Sequence, residues 1–218
     1  MPEAKNHRET ILRSIRSSLG AAQSPDAIAG EYAAIERTYT CAGVADRNAV
    51  LALFAERLHE YDARVYDATP GTIASVVAEI LTVRGKTSLV IPDDLPGDWQ
   101  PQGYVFSKAN DWDAYRLDSS EGVLSGCTVA IAETGSIVLQ NAVAQGPRIL
   151  SLVPDYHLCV VFARQVVATV PEAFAQLETT STLPTTFISG PSATADIEMT
   201  RIKGVHGPRF LDVIIVGD

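Results

Sequence analysis

The stretch Thr69-Pro-Gly-Thr-Ile-Ala-Ser-Val-Val-Ala-Glu-Ile-Leu-Thr-Val-Arg-Gly-Lys-Thr-Ser-Leu-Val-Ile-Pro92 predicts a helix followed by a strand. A threonine cap and a proline at the first helical position open the helix, and the apolar residues over 73–81 keep helical spacing. Gly85 is expected to end the helix. Ser88–Ile91 is then a short apolar run closed by a proline, which is typical of a strand.

The segments upstream of this stretch continue the same alternation. Asp46 is predicted to cap another helix, and Arg64–Tyr66 is predicted to form a short strand. Alternating helices and strands indicate an α/β fold, with a mainly parallel sheet covered by helices on both faces. The residues expected to be buried by the first of these helices are Val50, Leu51, Phe54 and Leu58.

The second half of the chain is richer in strand signals. Short turns separate its apolar segments, and connections of that length require antiparallel pairing. We therefore expect a mixed open sheet, with one further helix at Pro171–Glu178. The predicted strands are Thr128–Ala132, Ile137–Leu139, Arg148–Val153, His157–Phe162, Gln165–Thr169, Thr185–Ser189 and Leu211–Val216.

The N-terminal segment has the pattern of a helical arm. Residues 3–19 predict a helix with an apolar stripe among arginines and serines, and residues 21–30 have the composition of a linker. We expect two parts: residues 1–30 as helix and linker, and residues 31–218 as the α/β domain.

Composition limits the possible partners. The chain has 218 residues, a net charge of -9 and an isoelectric point near 4.9, which argues against binding duplex nucleic acid. No apolar run approaches the roughly 18 residues of a membrane-spanning helix, and the charged N-terminus does not resemble a signal peptide. We expect a cytoplasmic protein without a membrane span.

The cysteines do not predict a metal centre. Cys41, Cys127 and Cys159 are far apart in the chain and form no Cys-x-x-Cys pair. We expect neither a bound metal nor a cofactor in this chain.

The segment from Thr185 to Pro208 predicts an anion site. It contains a strand, a glycine turn, a helix start near Ala195 and a second glycine loop with a histidine, so free N–H groups are expected beside basic side chains. The alternative interpretation is that serine and threonine cap a helix and the glycines only turn the chain. The candidate ligand-binding residues are Gly190, Ser192, Thr194, Asp196, Lys203, His206 and Gly207, with Arg201 and Arg209 nearby.

Two further residues are candidates for catalysis. Glu133 follows a predicted core strand, where a carboxylate needs hydrogen-bond donors or a shifted pKa. Thr134 and Gly135, which adjoin it, are candidate ligand-binding residues. The equally weighted alternative is a hairpin turn with Glu133 facing water. His157 begins a strand and is a candidate proton carrier, or else a histidine of a turn.

Four motifs in order resemble the LUD-domain family. They lie in the segments 126–139, 151–157, 190–198 and 204–208, and the resemblance runs from about Asn48 to the C-terminus. It is strongest with the short members of the family. It implies a fold similar to the NagB/RpiA/CoA-transferase-like group and a place in a three-protein system that oxidises L-lactate to pyruvate. It further implies that the partners are cysteine-rich proteins carrying iron–sulfur clusters.

Three functions remain open at this point. The first is a subunit or accessory protein of L-lactate oxidation that binds a small carboxylate or an anionic cofactor. The second is a stand-alone acyl- or CoA-transferase-like enzyme, because the resemblance to CoA-transferases matches their nucleophile to Glu133. The third is a non-catalytic assembly scaffold.

Overall fold

The structure is a computed structural model that describes residues 7–19, 23–40, 42–43, 46–109, 112–194, 202–203 and 206–217. The chain divides into two compact units, one ending at Tyr39 and the other beginning at Thr40. The predicted boundary after residue 30 falls inside a helix. The predicted start of the first helix, over residues 3–6, lies outside the described residues.

The helices follow the predicted caps closely. Asp46 Oδ1 accepts the N–H groups of Asn48 and Ala49, and Gly85 ends its helix with a φ of 63°. In chain order the helices are α1 (His7–Leu19), α2 (Pro25–Ala34), α3 (Arg47–Glu60), α4 (Ile73–Arg84), α5 (Ala114–Asp118), α6 (Ile149–Leu152) and α7 (Val170–Leu177).

The strands are short apart from two neighbouring strands inside the main sheet. In chain order they are β1 (Arg64–Ala68), β2 (Ser88–Ile91), β3 (Val105–Lys108), β4 (Val123–Ser125), β5 (Val129–Ile131), β6 (Ser136–Leu139), β7 (Tyr156–Phe162), β8 (Val166–Val167), β9 (Thr186–Ser189), β10 (Ala193–Thr194), β11 (Ile202–Lys203) and β12 (Phe210–Val216).

The main sheet has six strands in the order β1-β12-β7-β4-β2-β3, and every neighbouring pair in it is parallel. The longest strands, β7 and β12, lie side by side and carry almost continuous apolar sequence, as buried parallel strands do. The prediction of an α/β fold with a mainly parallel sheet is confirmed.

The predicted antiparallel pairing is confirmed, but it lies in a separate sheet. Four strands form it in the order β8-β5-β6-β9, with β5 and β9 both antiparallel to β6 and β8 parallel to β5. A two-stranded antiparallel ribbon joins β10 and β11. A short turn joins β5 to β6, so these two strands pair antiparallel. Neither of them belongs to the main sheet, and a second sheet therefore forms around them.

Each face of the main sheet has its own apolar core. On one face, alternate residues of β7 and β12 pack against α4. On the other face, the intervening residues pack against α3 and against the second sheet. Helices thus cover both faces, as predicted, and the second sheet adds to the cover on the α3 side.

A buried ion pair links α4 to the main sheet. Asp212 on β12 is fully buried and accepts two hydrogen bonds from the guanidinium of Arg84, the last residue of α4. The hydroxyl of Tyr156 donates to the same carboxylate at 3.0 Å. This pairing raises the pKa of Arg84, and burial raises the pKa of Tyr156, so the arginine stays charged and the phenol neutral.

Three local predictions are wrong. Residues 25–30, the second part of the expected linker, belong instead to α2, because Ser24 accepts the N–H of Ala27 and a proline begins the helix. The predicted strand Arg148–Val153 is instead the helical turn α6, which follows a proline and buries Leu150. The predicted strand Gln165–Thr169 shortens to β8, since a 3-10 turn precedes it and Thr169 is the N-cap of α7.

Candidate functional site

A cavity of about 340 Å³ lies at the amino end of β7 and β12, on the face that α3 covers. Its walls come from α6, from β9 and from the loops that follow β9 and precede β12. Five of the predicted site residues line it together: His157, Gly190, Ser192, His206 and Gly207. Tyr61, Ser151, Leu152, Thr186, Ser189 and Leu211 also line it.

Gly190 turns the chain at the end of β9 in a conformation that needs glycine. Its φ is 79°, in the left-handed region, and a Cβ atom here would lie 3.0 Å from the Tyr61 Cγ atom and still closer to the Tyr61 Cβ atom. The glycine therefore lets the loop pass directly over the end of α3. The prediction that Gly190 makes a turn is confirmed.

Ser192 links, by hydrogen bonds, the loop that follows β9 and the loop that precedes β12, which together form the rim of the cavity. Its N–H donates to the Pro208 carbonyl at 2.8 Å, and its Oγ accepts the N–H of His206 at 3.1 Å. Because Oγ serves here as an acceptor and its proton has no acceptor among the described residues, the hydroxyl of Ser192 can donate to a ligand. Beyond the rim, Ala193–Thr194 continue as strand β10, and the predicted helix start near Ala195 lies outside the described residues.

His157 forms the buried wall of the cavity. Only 1 % of its surface is exposed, and its Nε2 lies 2.7 Å from the Oγ of Ser125 on the neighbouring strand β4. Its Nδ1 is buried and has no hydrogen-bond partner among the described residues. Burial lowers the pKa of His157 to about 4, so the ring is neutral at physiological pH.

The rim is less basic than the sequence predicted. Arg209 forms a two-fold ion pair with Asp155, which neutralises its charge on the surface. Arg201 lies outside the described residues, and so does the side chain of Lys203, whose backbone belongs to β11. His206 is exposed at the rim and is the basic side chain that lines the cavity within the described residues.

Glu133 and its neighbours lie apart from the residues that line this cavity. Glu133 is exposed in the turn between β5 and β6, and its Oε1 accepts the N–H of Val170 at 2.8 Å. The carboxylate thus satisfies one of the free N–H groups at the start of α7. Gly135 has a φ of 58°, and a Cβ atom there would be 2.8 Å from the Arg57 Cβ atom.

Thr134 reaches the cavity only through other hydroxyls. Its Oγ1 donates to the Ser136 Oγ at 2.8 Å, and that oxygen lies 2.6 Å from the Oγ of Ser189, which lines the cavity. Two predicted ligand-binding residues remain. The side chain of Thr194 and the whole of Asp196 lie outside the described residues.

Two larger cavities lie at the opposite, carboxyl edge of the main sheet, where parallel sheets most often bind ligands. They have volumes of about 390 and 550 Å³ and flank the loop over residues 141–147. Asp93 Oδ1 there is also a buried atom without a partner among the described residues, although the residue as a whole is half-buried. Unpartnered buried atoms therefore do not distinguish the two edges. The amino-edge cavity is distinguished by the five predicted site residues that line it together.

Sequence reasoning missed Ser125, the direct partner of His157. Ser125 stands in a three-residue strand bounded by glycines, and neither its length nor its periodicity marks it as a strand. Pairing with β7 places it beside Cys159, two positions after His157 on the same face. No local pattern in the sequence predicts the contact between Ser125 and His157.

Two features are absent from the described parts of the chain. There, no three His, Cys, Asp or Glu side chains converge in a way that could hold a metal ion. Within the same ranges, no helix has the length and apolar character needed to cross a membrane.

Comparison with known proteins places the chain in a family. The LUD domain model matches residues 51–216. Lactate utilization protein C of Deinococcus radiodurans is 37% identical over 194 residues, covering 88% of this chain and 91% of that protein. A protein of the same name from Geobacillus sp. (strain WCH70) is 23% identical, covering 98% of this chain and 97% of that protein.

A solved structure agrees with this assignment. The crystal structure of a DUF162 family protein from Deinococcus radiodurans superposes with a TM-score of 0.69 at 31% identity, covering 80% of this chain and all of the other. Since the family model spans most of the chain and the relatives match nearly end to end, the resemblance carried by the four motifs is confirmed, and this chain belongs to the LUD-domain family.

Proposed function

We propose that this protein is a cytoplasmic component of a lactate-utilisation system that oxidises L-lactate to pyruvate, and that it binds a small carboxylate in the amino-edge cavity. The observation that carries the proposal is the near full-length similarity to proteins named Lactate utilization protein C.

The cavity suits a small carboxylate in size and polarity. About 340 Å³ is at the lower end of the range for ligand sites, which fits a three-carbon acid better than a large cofactor. The hydroxyl of Ser192 and the ring of His206 stand at the rim, where they can donate to a carboxylate. The rest of the wall is largely backbone, hydroxyls and apolar side chains.

Electron transfer in this system would belong to partner proteins rather than to this chain. The contact with Cys159, together with burial, raises the pKa of the Cys127 thiol well above its usual range. A protonated buried thiol is a poor nucleophile and a poor metal ligand. Both cysteines lie in the core on the α3 side of the sheet, and Cys41 lies outside the described residues. Cysteine-rich iron–sulfur proteins are the expected partners.

The transferase alternative lacks a specific supporting contact. Glu133 is exposed, holds the start of α7 and does not line any of the cavities described above. We therefore do not extend the proposal to covalent catalysis by Glu133.

The test is growth of the source organism without this gene. Growth on L-lactate should be lost while growth on pyruvate is kept, and the wild-type gene should restore it. A complementing allele with Ser192→Ala should restore growth poorly, whereas the surface control Ser119→Ala should restore it fully. Undiminished growth of the deletion strain on L-lactate contradicts the proposal. Full complementation by Ser192→Ala in a folded protein favours a scaffold.

Partner assembly is tested on the same strain. A tagged copy of this chain, purified from cells grown on L-lactate, should bring down a protein that contains iron and acid-labile sulfide. Recovery of the chain alone, under conditions in which the system is active, contradicts the assembly part of the proposal.

A further inference from the structure

The carboxyl edge of the main sheet has a point where neighbouring strands connect in opposite directions. After β2 the chain runs to β3 on one side, whereas after β4 it leaves for the second sheet and returns as β7 on the other side. Loops that diverge in this way leave a crevice between the two strand ends, and open parallel sheets bind ligands in such crevices. The cavity of about 390 Å³ lies there, because its lining residues follow β2, β4 and β7.

The loop over residues 141–147 bridges these strand ends and forms one wall of the cavity. Ala144 donates its N–H to the Oδ1 of Asp94, after β2, at 3.0 Å, and its carbonyl accepts the N–H of Gly126, after β4, at 2.7 Å. Asn141 and Ala144 have φ values of 54° and 61°, in the left-handed region that residues other than glycine rarely adopt. Backbone strain of this kind persists only where surrounding contacts enforce it, and it is concentrated at ligand sites.

Aromatic and aliphatic side chains form the apolar part of the lining. Phe162, the last residue of β7, is half-buried in the cavity wall, and Trp99 supports it with ring centroids 5.9 Å apart. Val143 in the strained loop also lines the cavity and is 74 % exposed, so the apolar wall extends to the surface. A flat ring entering from solvent can therefore pack against Phe162 and Val143.

Arg164 brings a positive charge to the same wall. It is exposed, and its guanidinium carbon lies over the Phe162 ring, 4.3 Å from the centroid. Within the described residues it forms no ion pair with a carboxylate. A guanidinium held over a ring by cation–π attraction keeps N–H donors for a carboxylate or phosphate.

Gln165 fixes the turn that carries the ring and the charge. Its Oε1 accepts the N–H of Phe162 at 2.8 Å, and its Nε2 donates to the carbonyl of Cys127, after β4, at 2.6 Å. The aromatic wall and Arg164 are thus held in place before any ligand arrives, which lowers the entropy cost of binding.

We propose that this carboxyl-edge cavity is a second ligand site that binds a mononucleotide, with the base packed against Phe162 and Val143 and the phosphate paired with Arg164. A mononucleotide joins a flat aromatic ring to an anion, which are the two features that this wall recognises. A volume of about 390 Å³ is near the lower end of the range for ligand sites and suits one nucleotide rather than two. The site is separate from the amino-edge cavity, and the inference does not rest on the proposed function.

The direct test is calorimetric titration of the full chain at pH 7 with AMP, adenosine and ribose 5-phosphate. AMP should bind with a Kd below about 1 mM. Adenosine lacks the phosphate and ribose 5-phosphate lacks the base, so each should bind at least about 10-fold more weakly. Absence of AMP binding overturns the site. Equal affinity of AMP and ribose 5-phosphate overturns the role of the aromatic wall, and equal affinity of AMP and adenosine overturns that of Arg164.

Arg164→Gln provides the variant, and Arg116→Gln is its matched control. Arg116 is also exposed and lies over a ring, that of Trp112 at 4.2 Å, but it lines neither of the carboxyl-edge cavities. Arg164→Gln should weaken AMP binding by about 10-fold and leave adenosine binding at its wild-type affinity, since only the phosphate loses a partner. Arg116→Gln should change neither. Equal losses in the two variants would mean that AMP responds to overall charge, which contradicts the site.

Fluorescence locates the bound base. The chain has two tryptophans, so Trp112→Phe leaves Trp99 beside the cavity as the one reporter. AMP should change the emission of this variant, and ribose 5-phosphate should not. Phe162→Leu should weaken AMP binding while ribose 5-phosphate keeps its affinity. If Phe162→Leu fails to fold, the Trp99 signal and Arg164→Gln still decide, and AMP binding without any change in Trp99 emission overturns this location.

Discussion

Gly190 lies so close to Tyr61 that any side chain on the glycine would overlap the tyrosine ring and its Cβ atom. The end of β9 is thereby held against the end of α3, and this contact sets the position of the rim that Ser192 carries. The glycine also has a left-handed φ of 79°, so both space and backbone conformation disfavour a side chain.

Gly190→Ala should destabilise the fold by about 2–4 kcal/mol, because backbone strain adds to the overlap with Tyr61. Urea unfolding gives the free energy. Gly71→Ala is the matched control, since Gly71 has open space around its α-carbon and no left-handed φ, and it should change stability by less than about 1 kcal/mol. Equal effects of the two substitutions would refute the close-approach explanation.

Asp212→Asn should destabilise the protein by about 3–5 kcal/mol, because it leaves the guanidinium of Arg84 without its buried carboxylate. Asp155→Asn is the control. It breaks only the exposed pair with Arg209, which solvent screens, so it should lower the free energy of unfolding far less than Asp212→Asn does. A small effect of Asp212→Asn would mean that the buried pair does not help to hold α4 on the sheet.

Stability should fall as the pH is lowered from 7 to 5, because His157 is buried in its neutral form. Its pKa is about 4 in the folded chain and about 6.5 when unfolded, so the unfolded state takes up the proton first. The stabilisation is full above about pH 6.5 and is lost as the pH falls through the folded pKa. Linkage gives a loss of about 2 kcal/mol between pH 7 and pH 5.

The control for this pH dependence is His157→Gln, measured by urea unfolding at the same two pH values. The variant should be less stable at pH 7 but should lack most of the loss between pH 7 and pH 5. If it keeps the wild-type slope, another group is responsible.

Glu133→Gln should lower stability by only about 0.3–1 kcal/mol, because the amide oxygen can still accept from Val170 while the favourable charge at the start of α7 is lost. The variant should complement growth on L-lactate fully. Loss of growth from a folded variant would instead support the catalytic role that the sequence suggested for this residue.

Ligand binding should depend on the hydroxyl of Ser192. In wild type, L-lactate at 100-fold its Kd should stabilise the fold by about 2.7 kcal/mol. Ser192→Ala should weaken binding by about 10- to 100-fold, since a hydrogen bond to a charged group is lost, whereas Ser119→Ala should not. Thermal melts across a lactate series measure this, and equal shifts for both variants would remove Ser192 from the site.

Much of the fold and part of the site could be predicted from the chain alone. Local signals identified α3, α4 and β2, since caps, glycine stops and apolar spacing act within a few residues. The glycine turn at Gly190 and the loop with His206 and Gly207 were also recognised, because their residue types are the usual ones for such turns. The family motifs pointed to the same segments.

The errors arose where local signals are ambiguous. Residues 148–153 are a short apolar run, and such runs suit a strand or a buried helical turn equally well. In the sequence, Glu133 follows a core strand, which suggests a buried carboxylate. Only the tertiary structure shows that α7 begins beside it and that the carboxylate accepts the N–H of Val170. Ser125 gave no signal, because its role depends on a neighbour 32 residues away in the chain.

The sequence by itself therefore determined the alternation of helices and strands from α3 to β2, the parallel character of the main sheet and the family. Each of these follows from hydrophobic periodicity, turn chemistry or motif order, which are properties of neighbouring residues. Tertiary structure alone decided that His157 meets Ser125, that the rim loops close over the end of α3, and that Glu133 stands apart. Those contacts join residues distant in the chain, and they form only when burial of the two cores brings the strands into register.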